Sequence, residues 1–248
     1  MVTKALLKQT KQLHQKKFRE ERQCFIVEGE KMVDELLKSN FKIQQLFFTN
    51  EWDKPTDIPY DISFHVSDNE LKEISLFETP NRVLAVVEAR QTDQKPESNG
   101  KYLVLDGIRD PGNMGTLLRI ADWFGIDAIF CSNDSVEVYN PKVVQSSMGS
   151  IFRMPVVYTD LSDLFKTPCP PVYGALLNGE SVYNIEITEG WMLLIGNEST
   201  GIEPKLHSYI NHKISIPSFT RFETGAESLN AAVATAVICS EFCRKAIK

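Results

Sequence analysis

The sequence predicts an α/β protein in two parts, a small α/β domain over residues 1–88 and a larger domain over 101–248 built on an open parallel sheet. Three observations lead there. From Glu88 to Lys101 the chain reads EARQTDQKPESNGK, a polar stretch with one proline, one glycine and almost nothing apolar. It buries too little surface to offset its ordering entropy, so 89–100 reads as a linker. Beyond it, six apolar runs of strand length recur with helical segments between them. The runs are continuous rather than alternating, as in strands covered on both faces of a sheet.

Taken in order, a basic helix is predicted near residues 3–18, then a short strand at Cys24-Phe25-Ile26-Val27. A helix follows from Glu30 to Ser39, with Met32, Val33, Leu36 and Leu37 on one face. Ile43 to Phe48 reads as a strand. Ser67 and Glu70 form a capping-box pattern that opens a helix running to about Ile74. Val83 to Val87 closes the first domain as a strand. In the second, the strand-like runs are Tyr102–Leu105, Ile126–Cys131, Met154–Val157, Val172–Leu176, Met192–Ile195 and Ile214–Ile216.

Composition excludes several classes. No run approaches the roughly 18 apolar residues of a membrane helix, and lysine interrupts the N-terminus before a secretory apolar segment forms. A cytoplasmic protein without membrane partners is expected. The five cysteines make no C-x-x-C pair, and the four histidines show no ligand spacing, so no metal is expected. Cys239 and Cys243 share one helix face and read as small core residues.

Net charge is −6, which by itself speaks against nucleic acid. The charge is uneven, however. Residues 1–22 hold seven basic side chains against Glu20 and Glu21 alone. Lys8, Lys11, Lys16, Lys17 and Arg19 are therefore candidate RNA contacts on a basic arm, while the acidic body discourages indiscriminate binding. Charge alone fits a solvated helix face equally well.

Ligands of open α/β sheets collect at loops beyond the carboxyl ends of the strands. Three such loops here are rich in glycine and polar residues: Asp106 to Arg119, Gly196 to Ile202, and Ile216-Pro217 to Asn230. Asn113 sits where it can cap the next helix, and Arg119 lies about a turn and a half inside that helix. The spacing of Gly107, Gly112 and Gly115 fails the dinucleotide fingerprint, and no P-loop is present. A nicotinamide enzyme or a kinase is thus a poor reading.

The run DPGNMGTLLR (110–119), then GNESTGI (196–202), then IP followed by ESLN (227–230), resembles the SpoU/TrmH branch of the SPOUT RNA methyltransferases in order and spacing. Asn140-Pro141-Lys142-Val143-Val144 to Ser147-Met148-Gly149 also resembles it, and residues 1–88, with Phe25-Ile26-Val27-Glu28-Gly29, resemble the ribosomal-protein-like RNA substrate-binding domain found ahead of it. The resemblance implies an S-adenosylmethionine-dependent ribose 2′-O-methyltransferase with a deep C-terminal trefoil knot, working as a homodimer. It implies a cofactor pocket around Gly196, Ile216 and Leu229.

It also implies that Arg119 acts on the 2′-hydroxyl, as base or as orienting group. A guanidinium is practically never deprotonated, which favours orientation. By the same resemblance Glu198 accepts hydrogen bonds or the proton, with a loop carboxylate holding backbone amides as the alternative. Asn113, Ser228 and Asn230 are implied orienting groups, although Asn113 or Ser228 could serve only as a helix cap. The extra N-terminal domain favours ribosomal RNA over transfer RNA, and an RNA-binding assembly factor without turnover is the competing reading. Two departures from the family pattern stand out: the 218–227 loop is about four residues longer than usual, and Gln145 replaces a common basic residue.

Overall fold

The computed structural model describes residues 2–53, 55, 58–220 and 227–246. In chain order its elements are α1 (Lys4–Gln12), α2 (Lys16–Arg22), β1 (Cys24–Glu28), α3 (Glu30–Leu37), β2 (Ile43–Phe48), β3 (Ser63–His65), α4 (Asp68–Ile74) and β4 (Val83–Glu88). Then come β5 (Lys101–Leu105), α5 (Pro111–Trp123), β6 (Ala128–Cys131), α6 (Pro141–Ser146), β7 (Val156–Tyr158), α7 (Leu161–Lys166), β8 (Val172–Ser181), β9 (Trp191–Ile195), β10 (His212–Ser215) and α8 (Ala231–Ala246). They fall into two units, Met1–Gln91 with Glu137–Arg153, and Thr92–Val136 with Met154–Lys248.

The first unit is a four-stranded sheet in the order β1-β4-β2-β3, antiparallel except for the β2–β3 pair. All five residues of β1 are buried. Leu7, Leu13, Ile26, Phe47, Leu71 and Leu84 form part of one apolar cluster on this sheet. The capping box of α4 is present: Ser67 Oγ accepts from Glu70 N, and Glu70 Oε2 accepts from Ser67 N at 2.8 Å. Such a cap contributes about 1 kcal/mol.

The structure corrects the sequence reading of this unit at three places. The basic segment is two helices, because tertiary partners take the backbone between them. Arg19 Nη1 donates to the Leu13 carbonyl at 2.8 Å, and the His14 ring engages the Ile74 carbonyl through Nε2 at 2.7 Å. The short strand β3 was not anticipated, although Ile62 to Val66 alternates apolar and polar residues. Residues 137–153, placed by sequence in the second domain, group with the first unit. Their apolar side chains explain why: Tyr139 stacks on Phe25 at 4.4 Å, Phe152 meets Phe41 edge-on at 5.5 Å, and Val143 and Val144 are buried on α6, which packs on β1.

The second unit is a six-stranded sheet in the order β10-β8-β9-β5-β6-β7, with every pairing parallel. The six expected strands are all present, with shifted ends; β8 runs on to Ser181 and becomes more exposed as it does so. Tyr102, Val104, Phe130, Met192 and Leu194 belong to its core. Phe242 anchors α8 edge-on against Trp191 at 4.9 Å and Tyr173 at 5.2 Å. Burying that ring contributes about 2–3 kcal/mol. Helix α8 also packs on α5, which brings the third predicted loop near the first.

No described helix is long and apolar enough to cross a membrane, and no cluster of potential metal ligands occurs among the described residues. Residues 221–226 of the long 218–227 loop lie outside the described residues.

Candidate active site

The first loop leaves β5 at Asp106 and enters α5 through Asp110. Asp110, not Asn113, is the N-cap, since its Oδ1 accepts from Asn113 N at 2.7 Å, and Pro111 takes the first helical turn, where no N–H is needed. Asn113 therefore stands at the third helical position with its side-chain amide free for other use.

The second loop leaves β9 at Gly196 and is clasped by Asn197. The main chain of Asn197 pairs with Gly201 in both directions, at 3.1 and 2.9 Å. Its Oδ1 accepts from Ser199 N and Thr200 N, and its Nδ2 donates to the Gly107 carbonyl at 2.7 Å, which ties the second loop to the first. A Cβ on Gly196 would run into the main chain of Gly201 and Ile202, so only glycine allows the turn to close so tightly.

Asn230 opens α8. Its Oδ1 accepts from Ala232 N at 3.0 Å and Val233 N at 3.2 Å, which makes it the cap that the sequence reading assigned alternatively to Ser228. The opposite end of the same amide donates from Nδ2 to Asn113 Oδ1 at 2.9 Å. Asn113 Nδ2 in turn donates to Glu198 Oε1 at 2.5 Å. The three loops thus meet in one hydrogen-bonded chain, Asn230 to Asn113 to Glu198. It leaves one Glu198 carboxylate oxygen unused in an exposed position.

The other predicted catalytic residues are outside this chain. Ser228 is exposed and makes no hydrogen bond among the described residues. Arg119 is exposed and makes no ion pair there either. Six residues separate it from Asn113 on α5, about 9 Å along the helix and about 120° around it, so the two project differently.

Gly196, Ile216 and Leu229 lie at the carboxyl end of β9, the carboxyl end of β10 and the head of α8. Ile216 is half-buried and Leu229 is 49% exposed. Partly open apolar side chains at two of these positions, and at the third a backbone turn too tight for any Cβ, are the kinds of group an adenosyl moiety needs, apolar walls and main-chain partners.

On the basic arm, Lys8, Lys11, Lys16 and Lys17 are exposed. Arg19 is not available to RNA. It is 4% exposed, and its Nε and Nη2 hold Glu137 at 3.0 and 2.8 Å. The sequence offered no signal for this, since its partner lies 118 residues away. Asn197, the loop clasp, was also missed, although an asparagine followed by small polar residues is a recurrent turn signal. Cys131 and Cys239 are buried, which pushes their thiols up and leaves them unreactive.

An all-parallel sheet with three glycine- and asparagine-bearing loops joined at its carboxyl edge, following a separate α/β unit, is the SPOUT class of fold. The branch follows from likeness to known proteins. Residues 100–240 match the SpoU rRNA Methylase family, and residues 4–85 match the MRM3-like substrate binding domain. The chain belongs to the SpoU rRNA methylase family.

It is 33% identical over 237 residues to the 23S rRNA (guanosine(2553)-2′-O)-methyltransferase RlmP of Bacillus subtilis, covering 94% of this chain and 93% of that protein. A TrmH-family protein from Porphyromonas gingivalis superposes with a TM-score of 0.87 at 34% identity, covering 99% of each chain. An rRNA methyltransferase from Sinorhizobium meliloti with bound AdoMet gives 0.86 at 26% identity, covering 100% of this chain and 97% of that one.

Proposed function

We infer that the chain is an S-adenosylmethionine-dependent methyltransferase acting on a ribose 2′-hydroxyl of ribosomal RNA. The hydrogen-bonded chain from Asn230 through Asn113 to Glu198 carries this reading. It ties the Glu198 carboxylate, on the loop that holds Gly196, through Asn113 to the helix head that carries Leu229. Bound adenosylmethionine supplies an electrophilic methyl group on sulfur. Transfer forms a carbon–oxygen bond, breaks a carbon–sulfur bond and releases the hydroxyl proton.

Each residue has a task in that step. The free oxygen of Glu198 accepts the hydroxyl proton, and Asn113 and Asn230 hold the carboxylate in one orientation. Ser228, exposed beside Asn230, is free to hydrogen-bond the ribose. Arg119 keeps its charge, binds the adjoining phosphate and orients the hydroxyl. Lys8, Lys11, Lys16 and Lys17 attract the RNA backbone.

The working form is a two-fold homodimer in the cytoplasm, with α8 completing a trefoil knot. Trp123, 84% exposed one turn beyond Arg119 on α5, and Val233, 50% exposed on α8, supply an apolar face for self-association. The five unpaired cysteines suit a reducing compartment. Ribosomal rather than transfer RNA is the substrate, in keeping with the family and the preceding substrate-binding unit.

The test is transfer of labelled methyl from adenosylmethionine to ribosomal RNA taken from cells lacking the protein, followed by mapping of the 2′-O-methyl position. One mapped site that vanishes with Arg119→Ala while cofactor affinity persists is expected. RNA binding without label would indicate an assembly factor instead.

A further inference from the structure

The winding of the second sheet reverses at β5: the chain moves outward to β6 and β7 on one side, while β9, β8 and β10 fill the other. Open α/β sheets gather ligands in the crevice outside such a reversal. A crevice of about 530 Å³ opens there, within the usual range of small-ligand pockets, about 300–1,000 Å³. Asn197 and Thr200 line it from the loop that carries Glu198, so it adjoins the proposed catalytic carboxylate.

Most polar groups on its walls are already engaged. Asp134 takes the Ser132 hydroxyl at 2.7 Å and Arg109 at 3.2 Å, and Glu203 pairs with Lys205 at 2.9 Å. Asp106 is different. It is 7% exposed, its Oδ2 accepts from Glu203 N at 2.7 Å, and its Oδ1 has no hydrogen-bond partner among the described residues. Because that oxygen is not among the enclosed unsatisfied atoms, it stays open on the crevice side as an acceptor for an incoming donor.

Asn133 and Thr200, both exposed on the same walls, leave their side chains free of hydrogen bonds among the described residues. Carboxylates from Asp106, Asp134, Asp160 and Glu203 outnumber the cations Arg109 and Lys205. That balance repels phosphate and favours a neutral ligand rich in N–H donors.

We propose that this crevice receives a nucleobase of the RNA, unstacked beside the methylated ribose, and that Asp106 Oδ1 accepts a hydrogen bond from an exocyclic amino group of that base. The proposal rests on reading the chain as an RNA ribose methyltransferase. Splayed bases of single-stranded RNA are read by side chains along their edges in this way. Adenine, cytosine and guanine carry such an amino group and uracil does not, so the crevice selects against uridine at one position.

The experiment uses the full chain and a synthetic RNA spanning the mapped site. At the methylated nucleotide and each neighbour, the amino group is replaced by hydrogen, with inosine for guanosine, purine riboside for adenosine or pyrimidin-2-one riboside for cytidine. One replacement should lower wild-type kcat/KM about 10- to 100-fold. Asp106→Asn keeps an oxygen for Glu203 N but turns an amide NH2 to the crevice. It should lose as much on the unmodified RNA, show no further loss on the replaced one, and retain its affinity for adenosylmethionine. Asn133→Ala, at an exposed position that cannot disturb folding, should lower kcat/KM several-fold and couple to the same nucleotide.

Losses that simply multiply at every position in both variants would overturn the nucleobase subsite alone. So would weakened cofactor affinity in Asp106→Asn. Absence of any methyl transfer by the wild-type protein would overturn the underlying reading as well.

Discussion

Replacing Arg19 by methionine should destabilise the first unit by about 3 kcal/mol. The guanidinium makes three hydrogen bonds, two to Glu137 and one to the Leu13 carbonyl, while only 4% exposed. Removing one partner of a buried ion pair costs about 3–5 kcal/mol, because the other charge is left without compensation. The Glu137 side chain keeps 17% of its exposure, and methionine replaces part of the arginine stem, so the lower end applies. Urea unfolding measures the loss, with buried Trp52 reporting on this unit, as a midpoint shift at unchanged slope. Arg19→Met combined with Glu137→Leu should recover most of the loss, to within about 1 kcal/mol of wild type. A single-variant cost below about 1 kcal/mol, or a double variant no more stable than the single, would refute the reasoning. Loss of RNA affinity in the folded double variant would restore Arg19 to the RNA-binding arm.

Four other outcomes are expected. Asn113→Ala should reduce single-turnover methyl transfer about 10- to 100-fold with less than about 1 kcal/mol of stability lost, since its bonds are near the surface; a rate near wild type would show that Glu198 needs no such support. Gly196→Ala forces a Cβ against the main chain of Gly201 and Ile202, so calorimetry should find adenosylmethionine affinity at least tenfold weaker and melting lower by the equivalent of about 2 kcal/mol. Burial raises the Glu28 carboxyl above its ordinary range, against the lowering effect of its bonds from Ser75 and Leu76, so the folded state holds that proton more tightly than the unfolded one. Its contribution is full below the unfolded pKa and is lost as pH rises through the folded one; Glu28→Gln should thus gain stability relative to wild type from about pH 4 to pH 7, and a flat difference would contradict this. A fragment 101–248 should bind the dye ANS and aggregate, because Val143, Val144, Ile151 and Phe152 lose the partners that bury them.

The parallel sheet was legible because each strand announces itself locally. Tyr102–Leu105 and Met192–Ile195 are unbroken apolar runs, and burial on both faces leaves no other use for them. The capping box was legible for the same reason, since Ser67 and Glu70 stand three residues apart. What the sequence concealed depends on distant partners. Nothing near Arg19 marks it as a core residue rather than one more cation on a basic helix, and nothing in residues 137–153 shows that Tyr139 lies on Phe25. At the site, the loops carrying Asn113, Glu198 and Asn230 were identifiable by resemblance. Their order within one hydrogen-bonded chain was not, because side-chain direction on a loop is set by the turns around it. Asp110 competes with Asn113 as a helix cap, and only the observed bond decides between them.

The return of residues 137–153 to the first unit bears on how the protein is made. The chain passes between the units at residues 91/92, 136/137 and 153/154, so the amino-terminal unit stays incomplete until its last segment has been translated. At ribosomal speeds of about 5–20 residues per second, the nascent unit waits roughly 3–12 s with the faces of Phe25 and Phe41 uncovered. Vectorial folding, one domain finished before the next begins, is therefore closed to this topology, and a trigger-type chaperone has a defined interval in which to act.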